Sequence, residues 1–283
     1  MKQKRIVAIH DISCFGKCSL TVALPIISAA GIEVSVIPTA VLSTHTGGFT
    51  GFTFRDLTDD IVPILDHWAN YDIQFDGIYT GYLGSFEQIE LMKQTFDRLR
   101  TENTIVFVDP VMADNGKLYP LFPQDFPKGM RSLCEKADVI IPNITEACFM
   151  LDKEYEEGPY TKEYIEELIR RLSFELNVKR VVLTGVYFDD QKLGAAAYDQ
   201  DQDKIEYAMS DRITGYYHGT GDVFASAVMA SMLSNKSLKD AIEIAVDFTV
   251  ESIKRTKEAN TDVKFGVDFE TGLKKLASQL NDK

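Results

Sequence analysis

The sequence predicts an α/β protein with three layers, in which a central, mostly parallel sheet is covered by helices on both faces. Short apolar runs recur without polar alternation, as expected for strands that are buried on both faces. Helical patterns with one apolar face separate these runs, and the repeat of strand and helix predicts right-handed crossovers. The runs are Ile6 to Ile9, Val34 to Ile37, Ile105 to Val108, Val139 to Ile141 and Val181 to Leu183.

The first helix and the second strand lie in one long apolar stretch from Leu20 to Leu42. Its only charged residue is Glu33, so the stretch resembles a membrane span in composition. Pro25, Gly31 and Pro38 are expected to break it. The stretch is therefore predicted to form a helix, a turn and a strand.

Later elements follow from local signals. Helices are predicted to begin after Ser85 and Thr161, where apolar residues recur at helical spacing. Two strand-like pieces, Gly194 to Tyr198 and Ile205 to Met209, are separated by polar residues and predict an antiparallel hairpin at the sheet edge. The C-terminal third is predicted to be helical, with helices that begin at about Thr220, Ser237 and Asp268.

Composition restricts the class of protein. The chain has 283 residues, with 30 Lys and Arg against 43 Asp and Glu, which gives a net charge of −13. A chain this acidic is expected to bind neither nucleic acid nor an anionic membrane surface. Its 45% apolar and 26% charged residues are typical of a folded protein, and residues 1–283 are predicted to form one domain.

The cysteines and the N-terminus predict a cytoplasmic protein. The four cysteines have neither the pattern of a secreted disulfide framework nor that of a zinc site. The apolar run Ile6 to Ile9 is too short for the core of an export signal.

Polar residues follow almost every predicted strand, where ligands bind in open α/β sheets. Loops are polar in any case, so this pattern is suggestive and weak alone. The residues at these strand ends include Asp11, Ser13, His45, Thr46, Tyr82, Asp109, Asn143, Glu146, Thr184 and Gly185.

The sharpest feature is the turn Gly219-Thr220-Gly221-Asp222, which opens an apolar helix. Glycines let bare backbone approach a ligand, and the free amides at a helix start bind anions. Asp222 would repel a phosphate unless it takes a proton from an attacking hydroxyl. A plain turn with a capping Asp remains an equal alternative from these four residues. No Gly-x-x-x-x-Gly-Lys-Ser/Thr loop occurs in the sequence, which argues against a P-loop kinase.

Five motifs stand in a fixed order along the chain: Ser43-Thr44-His45-Thr46, Gly81-Tyr82-Leu83-Gly84-Ser85, Asp109-Pro110-Val111-Met112, Pro142-Asn143 with Glu146, and Gly219-Thr220-Gly221-Asp222. In this order they resemble the motifs of the pyridoxal/pyridoxamine (vitamin B6) kinase family of the ribokinase-like superfamily. The resemblance covers nearly the whole chain, and no motif is specific without the others.

This resemblance implies ATP-dependent phosphorylation of the hydroxymethyl group of pyridoxal, pyridoxine or pyridoxamine by a homodimeric enzyme. Asp222 would be the base, and the amides of Gly219, Thr220, Gly221 and Asp222 would form the anion hole. Asp109, Asn143 and Glu146 would hold Mg²⁺ against the ATP phosphates, directly or through water. Thr184 and Gly185 would border the nucleotide, under a flap formed by the 194–209 hairpin and the loop to Tyr217. A requirement for K⁺ is left open.

The resemblance also implies a vitamer pocket. Tyr82 would lie against the pyridine ring, and His45 or Thr46 would contact ring substituents. The alternatives are a tyrosine at the edge of the core and a histidine in a turn. Asp11 and Ser13 stand where many B6 kinases have Gln-Ser-His, and they are further candidates for substrate binding.

Two other functions remain open. Asp11 and the segment His218 to Gly221 are also similar to hydroxymethylpyrimidine kinases, although those enzymes usually have Cys where Asp222 stands. A hydroxymethylpyrimidine or other small-alcohol kinase of the same fold is therefore the first alternative. A catalytically silent nucleotide- or vitamin-binding protein is the second, and the carboxylate of Asp222 argues against it.

Overall fold

The computed structural model describes residues 3–281, which form a nine-stranded central sheet and a separate two-stranded sheet. The strands are β1 (Arg5–Ser13), β2 (Glu33–Leu42), β3 (Phe54–Asp56), β4 (Gly77–Thr80), β5 (Ile105–Val108), β6 (Ala113–Asp114), β7 (Lys117–Leu118), β8 (Val139–Ile140), β9 (Arg180–Val186), β10 (Lys192–Asp199) and β11 (Lys204–Asp211). The α-helices are α1 (Leu20–Ala29), α2 (Thr58–Trp68), α3 (Phe86–Leu99), α4 (Phe126–Cys134), α5 (Ile144–Met150), α6 (Lys162–Leu176), α7 (Thr220–Leu233), α8 (Leu238–Glu258) and α9 (Leu273–Asn281).

The sheet order is β11-β10-β9-β8-β5-β4-β1-β2-β3. Neighbours from β2 to β9 pair in parallel, whereas β3, β10 and β11 are antiparallel at the two edges. β1 is followed in sequence by β2 on one side, and the chain then returns to β4 on its other side. This reversal is a topological switch point, so a crevice for a ligand is expected beyond the carboxyl ends of β1 and β4.

Helices cover both faces of the sheet and enclose two apolar cores. One core includes buried residues of α2 to α6, and the other includes buried residues of α1, α7, α8 and α9. Leu276 and Leu280 of α9 are buried in the second core. The predicted three-layer α/β fold is confirmed, and so is the antiparallel hairpin at the sheet edge. Among the helices of residues 3–281, none combines the length and apolar composition needed to cross a membrane.

Local signals for breaks were wrong at two prolines. Pro25 lies inside α1, where Ile26 and Ile27 are fully buried, so burial outweighs one missing helical hydrogen bond. Pro38 lies inside β2 opposite His10, next to an irregularity in the pairing of β1 and β2, where a missing amide is tolerated. The small sheet of β6 and β7 was not predicted.

Candidate active site

A cavity of about 900 Å³ lies beyond the carboxyl ends of the parallel strands. It is lined by every residue that the sequence predicted for the site except Ser13. The predicted lining residues are Asp11, His45, Thr46, Tyr82, Asp109, Asn143, Glu146, Thr184, Gly185, Gly219, Thr220, Gly221 and Asp222. The fold therefore brings residues from seven separate segments of the chain into one space.

The two glycines of the Gly219–Asp222 turn are there for different reasons. Gly219 is the N-cap of α7 with a φ of +74°, and a Cβ on it would lie 2.0 Å from the carbonyl oxygen of Lys17. The fold itself therefore requires glycine at 219. A Cβ on Gly221 would meet no atom within 4 Å. Since packing does not require glycine at 221, the open backbone there is available to a ligand.

Asp222 lies in the first turn of α7, where helix amides have no intrahelical acceptor. Gly219, not Asp222, is the N-cap, so the capping alternative is wrong for this residue. Burial raises the pKa of Asp222 to about 7, the backbone of Ser19 partly opposes the rise, and the charge of Asp11 adds to it. A carboxyl group with a pKa near neutrality suits a general base. The Thr220 hydroxyl donates to the Tyr217 carbonyl (3.1 Å) and so holds the turn.

Asn143 and Glu146 form a capping box at the start of α5. Asn143 Oδ1 accepts from the Glu146 amide, and Glu146 Oε2 accepts from the Asn143 amide, both at 2.9 Å. Asn143 Nδ2 also donates to the Ala113 carbonyl (2.8 Å), and the Met112 amide donates to Glu146 Oε1 (3.0 Å). The Asn143 side chain is therefore engaged in holding Glu146 in place. The Asn-x-x-Glu spacing is itself a sequence signal for this box.

Asp109 and Glu146 are buried carboxylates that disfavour each other's charge. Burial, then the charges of Glu146 and Asp222, raise the pKa of Asp109 well above its ordinary value. Burial raises the pKa of Glu146 to about 8, although hydrogen bonds from backbone amides oppose the rise. Within residues 3–281, neither carboxylate takes part in an ion pair with Lys, Arg or His.

This pair of carboxylates suits a Mg²⁺ ion that keeps waters and phosphate oxygens as its other ligands. In the described part of the chain, no group of three or more His, Cys, Asp or Glu could hold a metal ion. Two carboxylates alone would therefore need ligands from elsewhere, such as waters and phosphate oxygens, to hold a metal ion.

At the switch-point end of the cavity, Asp11 lies near the carboxyl end of β1 and Tyr82 follows β4. Asp11 is buried and its Oδ2 accepts from the Ser13 hydroxyl (3.3 Å), while its Oδ1 has no partner within residues 3–281. Ser13 thus lies behind Asp11 and away from the cavity. The Tyr82 ring packs at 5.5 Å from Phe122, and burial raises the pKa of Tyr82 to about 12, so its phenol is neutral. Thr46 is exposed at the rim.

His45 uses both ring nitrogens on the backbone. The Gly47 amide donates to Nδ1 (3.1 Å), so Nε2 carries the hydrogen and donates to the Lys264 carbonyl (2.7 Å). Burial lowers the pKa of His45, and its ring packs 5.2 Å from that of His218. His45 therefore borders the cavity as a residue that holds its loop, which matches the turn-histidine alternative.

The other end of the cavity lies beyond the end of β9. The Thr184 amide donates to the Pro142 carbonyl (2.9 Å), and Gly185 has a φ of +77°. Sequence reasoning missed the residues that complete this end, because those on α7 and α8 have a spacing that resembles that of core residues, and Leu193 lies just before the predicted hairpin strand. They are Leu193, Phe224, Val246, Thr249, Val250 and Ile253.

The fold and the site define a class of protein. A mostly parallel sheet between two helix layers, with an anion-binding helix start and a perturbed carboxylate in one cavity, is the arrangement of a ribokinase-like phosphotransferase.

Comparison with known proteins gives the family. The family model for phosphomethylpyrimidine kinase matches residues 24–266. A protein from Bacteroides thetaiotaomicron that is also described as a phosphomethylpyrimidine kinase was crystallised with pyridoxal. It is 38% identical with a TM-score of 0.92, over 97% of this chain and 96% of its own. Pyridoxal kinase from Lactobacillus plantarum is 30% identical with a TM-score of 0.89, over 100% of this chain and 99% of its own. Pyridoxine kinase from Bacillus subtilis is 29% identical over 192 residues, 66% of this chain and 67% of its own.

The chain therefore belongs to the phosphomethylpyrimidine kinase family, and it is a kinase. The resemblance to pyridoxal kinases of the ribokinase-like superfamily is confirmed.

Proposed function

We propose that this chain transfers the γ-phosphoryl group of ATP to the hydroxymethyl group of pyridoxal, pyridoxine or pyridoxamine. The observation that carries the proposal is the position of Asp222, with its raised pKa, at the open helix start beside the bare backbone of Gly221. The pyridoxal in the crystals of the Bacteroides relative and the names of the two other relatives support a B6 vitamer as the acceptor.

In the proposed reaction, Asp222 takes the proton of the vitamer hydroxyl as its oxygen forms a bond to the γ-phosphorus. The bond from the γ-phosphorus to the bridging oxygen breaks, and its electron pair leaves on ADP. The amides of residues 219–222 stabilise the charge on the transferred group. Asp109 and Glu146, with Glu146 positioned by Asn143, would hold Mg²⁺, which neutralises charge on the phosphates.

The remaining side chains bind and orient. Asp11 Oδ1, which is buried and has no partner among residues 3–281, would accept a hydrogen bond from a polar group of the vitamer ring. Tyr82 would cover one face of the vitamer ring, and Thr46 would contact a substituent of that ring. Residues 193, 194, 216 and 217 would cover the nucleotide, and the Tyr216 hydroxyl, which donates to Asp114 (3.1 Å), would help to hold this cover. Homodimeric assembly and a cytoplasmic location stay predictions.

A hydroxymethylpyrimidine kinase is the second candidate, because the matching family model is described as phosphomethylpyrimidine kinase and a relative from Aquifex aeolicus, 26% identical over 66% of this chain, is named hydroxymethylpyrimidine/phosphomethylpyrimidine kinase. Both functions use the same base, anion hole and nucleotide, and they differ only in the ring that occupies the Asp11 and Tyr82 end of the cavity.

The test is phosphate transfer from Mg·ATP, with and without K⁺, to pyridoxal, pyridoxine, pyridoxamine and hydroxymethylpyrimidine. We expect product on B6 vitamers. Turnover on the pyrimidine alone would support the second candidate, and no turnover on any of the four would contradict both.

The role of Asp222 is tested by Asp222→Asn. We expect the substitution to lower kcat at least ~100-fold, the scale for loss of a general base, while ATP binding persists. Asp240→Asn is the matched control, because Asp240 occupies the same position in the first turn of α8 but is exposed and outside the cavity. Unchanged turnover in Asp222→Asn would remove Asp222 from the chemistry.

A further inference from the structure

Ser19, the residue before α1, has a backbone conformation that serine rarely adopts. Its φ of +53° and ψ of −128° are those of the first central residue of a type II′ turn, a position dominated by glycine. A residue other than glycine stays in such a conformation only where its surroundings enforce it, and such residues cluster at active sites. Ser19 is buried and lines the same cavity as Asp11 and Asp222.

The surroundings that enforce this conformation are contacts of Lys17, two residues earlier. The Lys17 carbonyl lies against Gly219, where a Cβ would be 2.0 Å from its oxygen, and the Lys17 amide donates to the Phe265 carbonyl (3.0 Å). The Lys17 ammonium group pairs with Asp268 (2.8 Å) and Glu270 (3.0 Å). The loop before α1 is therefore held between the start of α7 and the C-terminal segment.

The side chain of Ser19 does not act as serine usually does at the start of a helix. Serine and threonine at this position normally have an extended backbone and accept a hydrogen bond from an amide of the first turn. Ser85, Thr161 and Ser237 follow this rule. The Ser19 hydroxyl makes no such bond. It faces Asp11 instead: burial raises the pKa of Asp11, and the Ser19 hydroxyl opposes the rise.

Ser19 thus lies between the two carboxyl groups at the vitamer end of the cavity. Burial raises the pKa of Asp222 to about 7, and the Ser19 backbone, which faces that carboxyl group, opposes the rise. Under the proposed function, on which this inference rests, the vitamer ring lies beside Asp11 and Tyr82 while its hydroxymethyl group reaches Asp222. The hydroxymethyl group therefore lies beside Ser19.

We propose that Ser19 orients the reacting hydroxyl of the substrate, with its own hydroxyl hydrogen-bonded to the oxygen that attacks the γ-phosphorus. A serine hydroxyl turns about its C–O bond, so it can donate to that oxygen while the substrate hydroxyl gives its proton to Asp222. Holding the attacking oxygen in this direction favours the transfer. Ser19 is then a substrate-binding residue for the hydroxymethyl group and not for the ring. A departure from a local rule, here the missing cap, is expected at such a position.

The test is Ser19→Ala and Ser19→Gly, which both remove the hydroxyl and keep the backbone amide. Calorimetry measures the Kd for pyridoxine and for its methyl analogue, 5-deoxypyridoxine, in which a methyl group replaces the reacting hydroxymethyl group. We expect both variants to raise the Kd for pyridoxine about 3- to 10-fold, the loss of one hydrogen bond, and to leave the Kd for the methyl analogue unchanged. The kcat with pyridoxine should fall, and the KM for ATP should stay unchanged.

The two variants separate a role in binding from a role in folding. Ser19→Gly should melt at a higher temperature than Ser19→Ala, because glycine adopts this backbone conformation without strain. If only the conformation of the loop mattered, pyridoxine binding would follow the melting temperature and recover in Ser19→Gly.

Ser237→Ala is the matched control at another helix start. The Ser237 hydroxyl oxygen accepts from the Asp240 amide (3.1 Å) and lies outside the cavity, so its loss should lower the melting temperature and leave the ratio of the two Kd values unchanged.

Equal weakening of pyridoxine and its methyl analogue, an unchanged Kd for pyridoxine, or recovery of binding in Ser19→Gly would overturn the inference. Failure of the proposed function is seen separately, because the wild-type protein would then not phosphorylate pyridoxine. If the wild type acts on hydroxymethylpyrimidine, the same comparison is made with that compound and its own methyl analogue. Binding of neither acceptor to the wild type would overturn both proposals.

Discussion

Gly221→Ala should stabilise the ligand-free protein and at the same time impair phosphoryl transfer. Gly221 has no positive φ and lies in the first turn of α7, and a Cβ on it meets no atom within 4 Å. Alanine in place of a helical glycine stabilises by about 0.5–1 kcal/mol. At about 2.1 cal/mol/K per residue, the unfolding entropy of 283 residues converts this into a rise of about 1–2 °C in melting temperature.

The functional effect has the opposite sign because the added methyl group stands where the phosphate approaches the backbone. Alanine keeps the backbone N–H, but its methyl group would hold the phosphate away from it; loss of one such donor contact lowers kcat about 10²- to 10³-fold, and we expect an effect of this order in kcat/KM for ATP. Melting by calorimetry and steady-state kinetics on the same preparation measure both effects. Gly219→Ala provides the contrast, because its positive φ and the Lys17 carbonyl at 2.0 Å make it destabilising. Wild-type kinetics in Gly221→Ala would refute the assignment of the turn as the phosphate site.

Two further predictions concern Tyr82 at the vitamer end of the cavity and the carboxyl group of Glu146. Tyr82→Ala should raise the KM for the vitamer more than the KM for ATP, and Tyr82→Phe, which keeps the ring, should not; equal changes in both KM values would remove Tyr82 from the vitamer pocket. The pKa of Glu146 is about 8 in the folded chain against 4.5 ordinarily, so folding takes up a proton and stability from this group should be lost as pH rises from about 5 to 8. Thermal unfolding at pH 6 and 8 measures this loss of stability. Mg·ATP should raise the melting temperature more at pH 8, and Glu146→Gln should reduce the difference in melting temperature between the two pH values. An unreduced difference in that variant would contradict the role given to Glu146.

Much of the fold was readable because buried strands are signalled by local composition. The runs at Ile6, Val34 and Ile105 became parallel strands, and the polar break at 199–203 became the turn of a hairpin. Pro25 and Pro38 were misread because their local effect was outweighed by burial in one case and by an irregular strand pairing in the other.

The candidate site was also partly readable. Glycines next to Asp222 at a helix start, and polar residues at strand ends, carry a chemical meaning that needs no coordinates. By contrast, position along the chain could not tell that Ser13, unlike Asp11, does not line the cavity, because its hydroxyl donates to the Asp11 carboxylate instead.

The sequence by itself determined the three-layer class, the helix starts after Ser85, Thr161 and Ser237 and the types of chemical group at the site, because these depend on neighbours a few residues apart, whereas α9 begins at Leu273 and not near Asp268 as expected. Only the tertiary structure decided which groups are free to act. His45 is engaged by the carbonyl of Lys264, far along the chain, and the apolar spacing of α8 is the same whether a side chain faces the core or the cavity. Contacts between distant segments set burial and hydrogen bonding, and these set the raised pKa values of Asp109, Glu146 and Asp222.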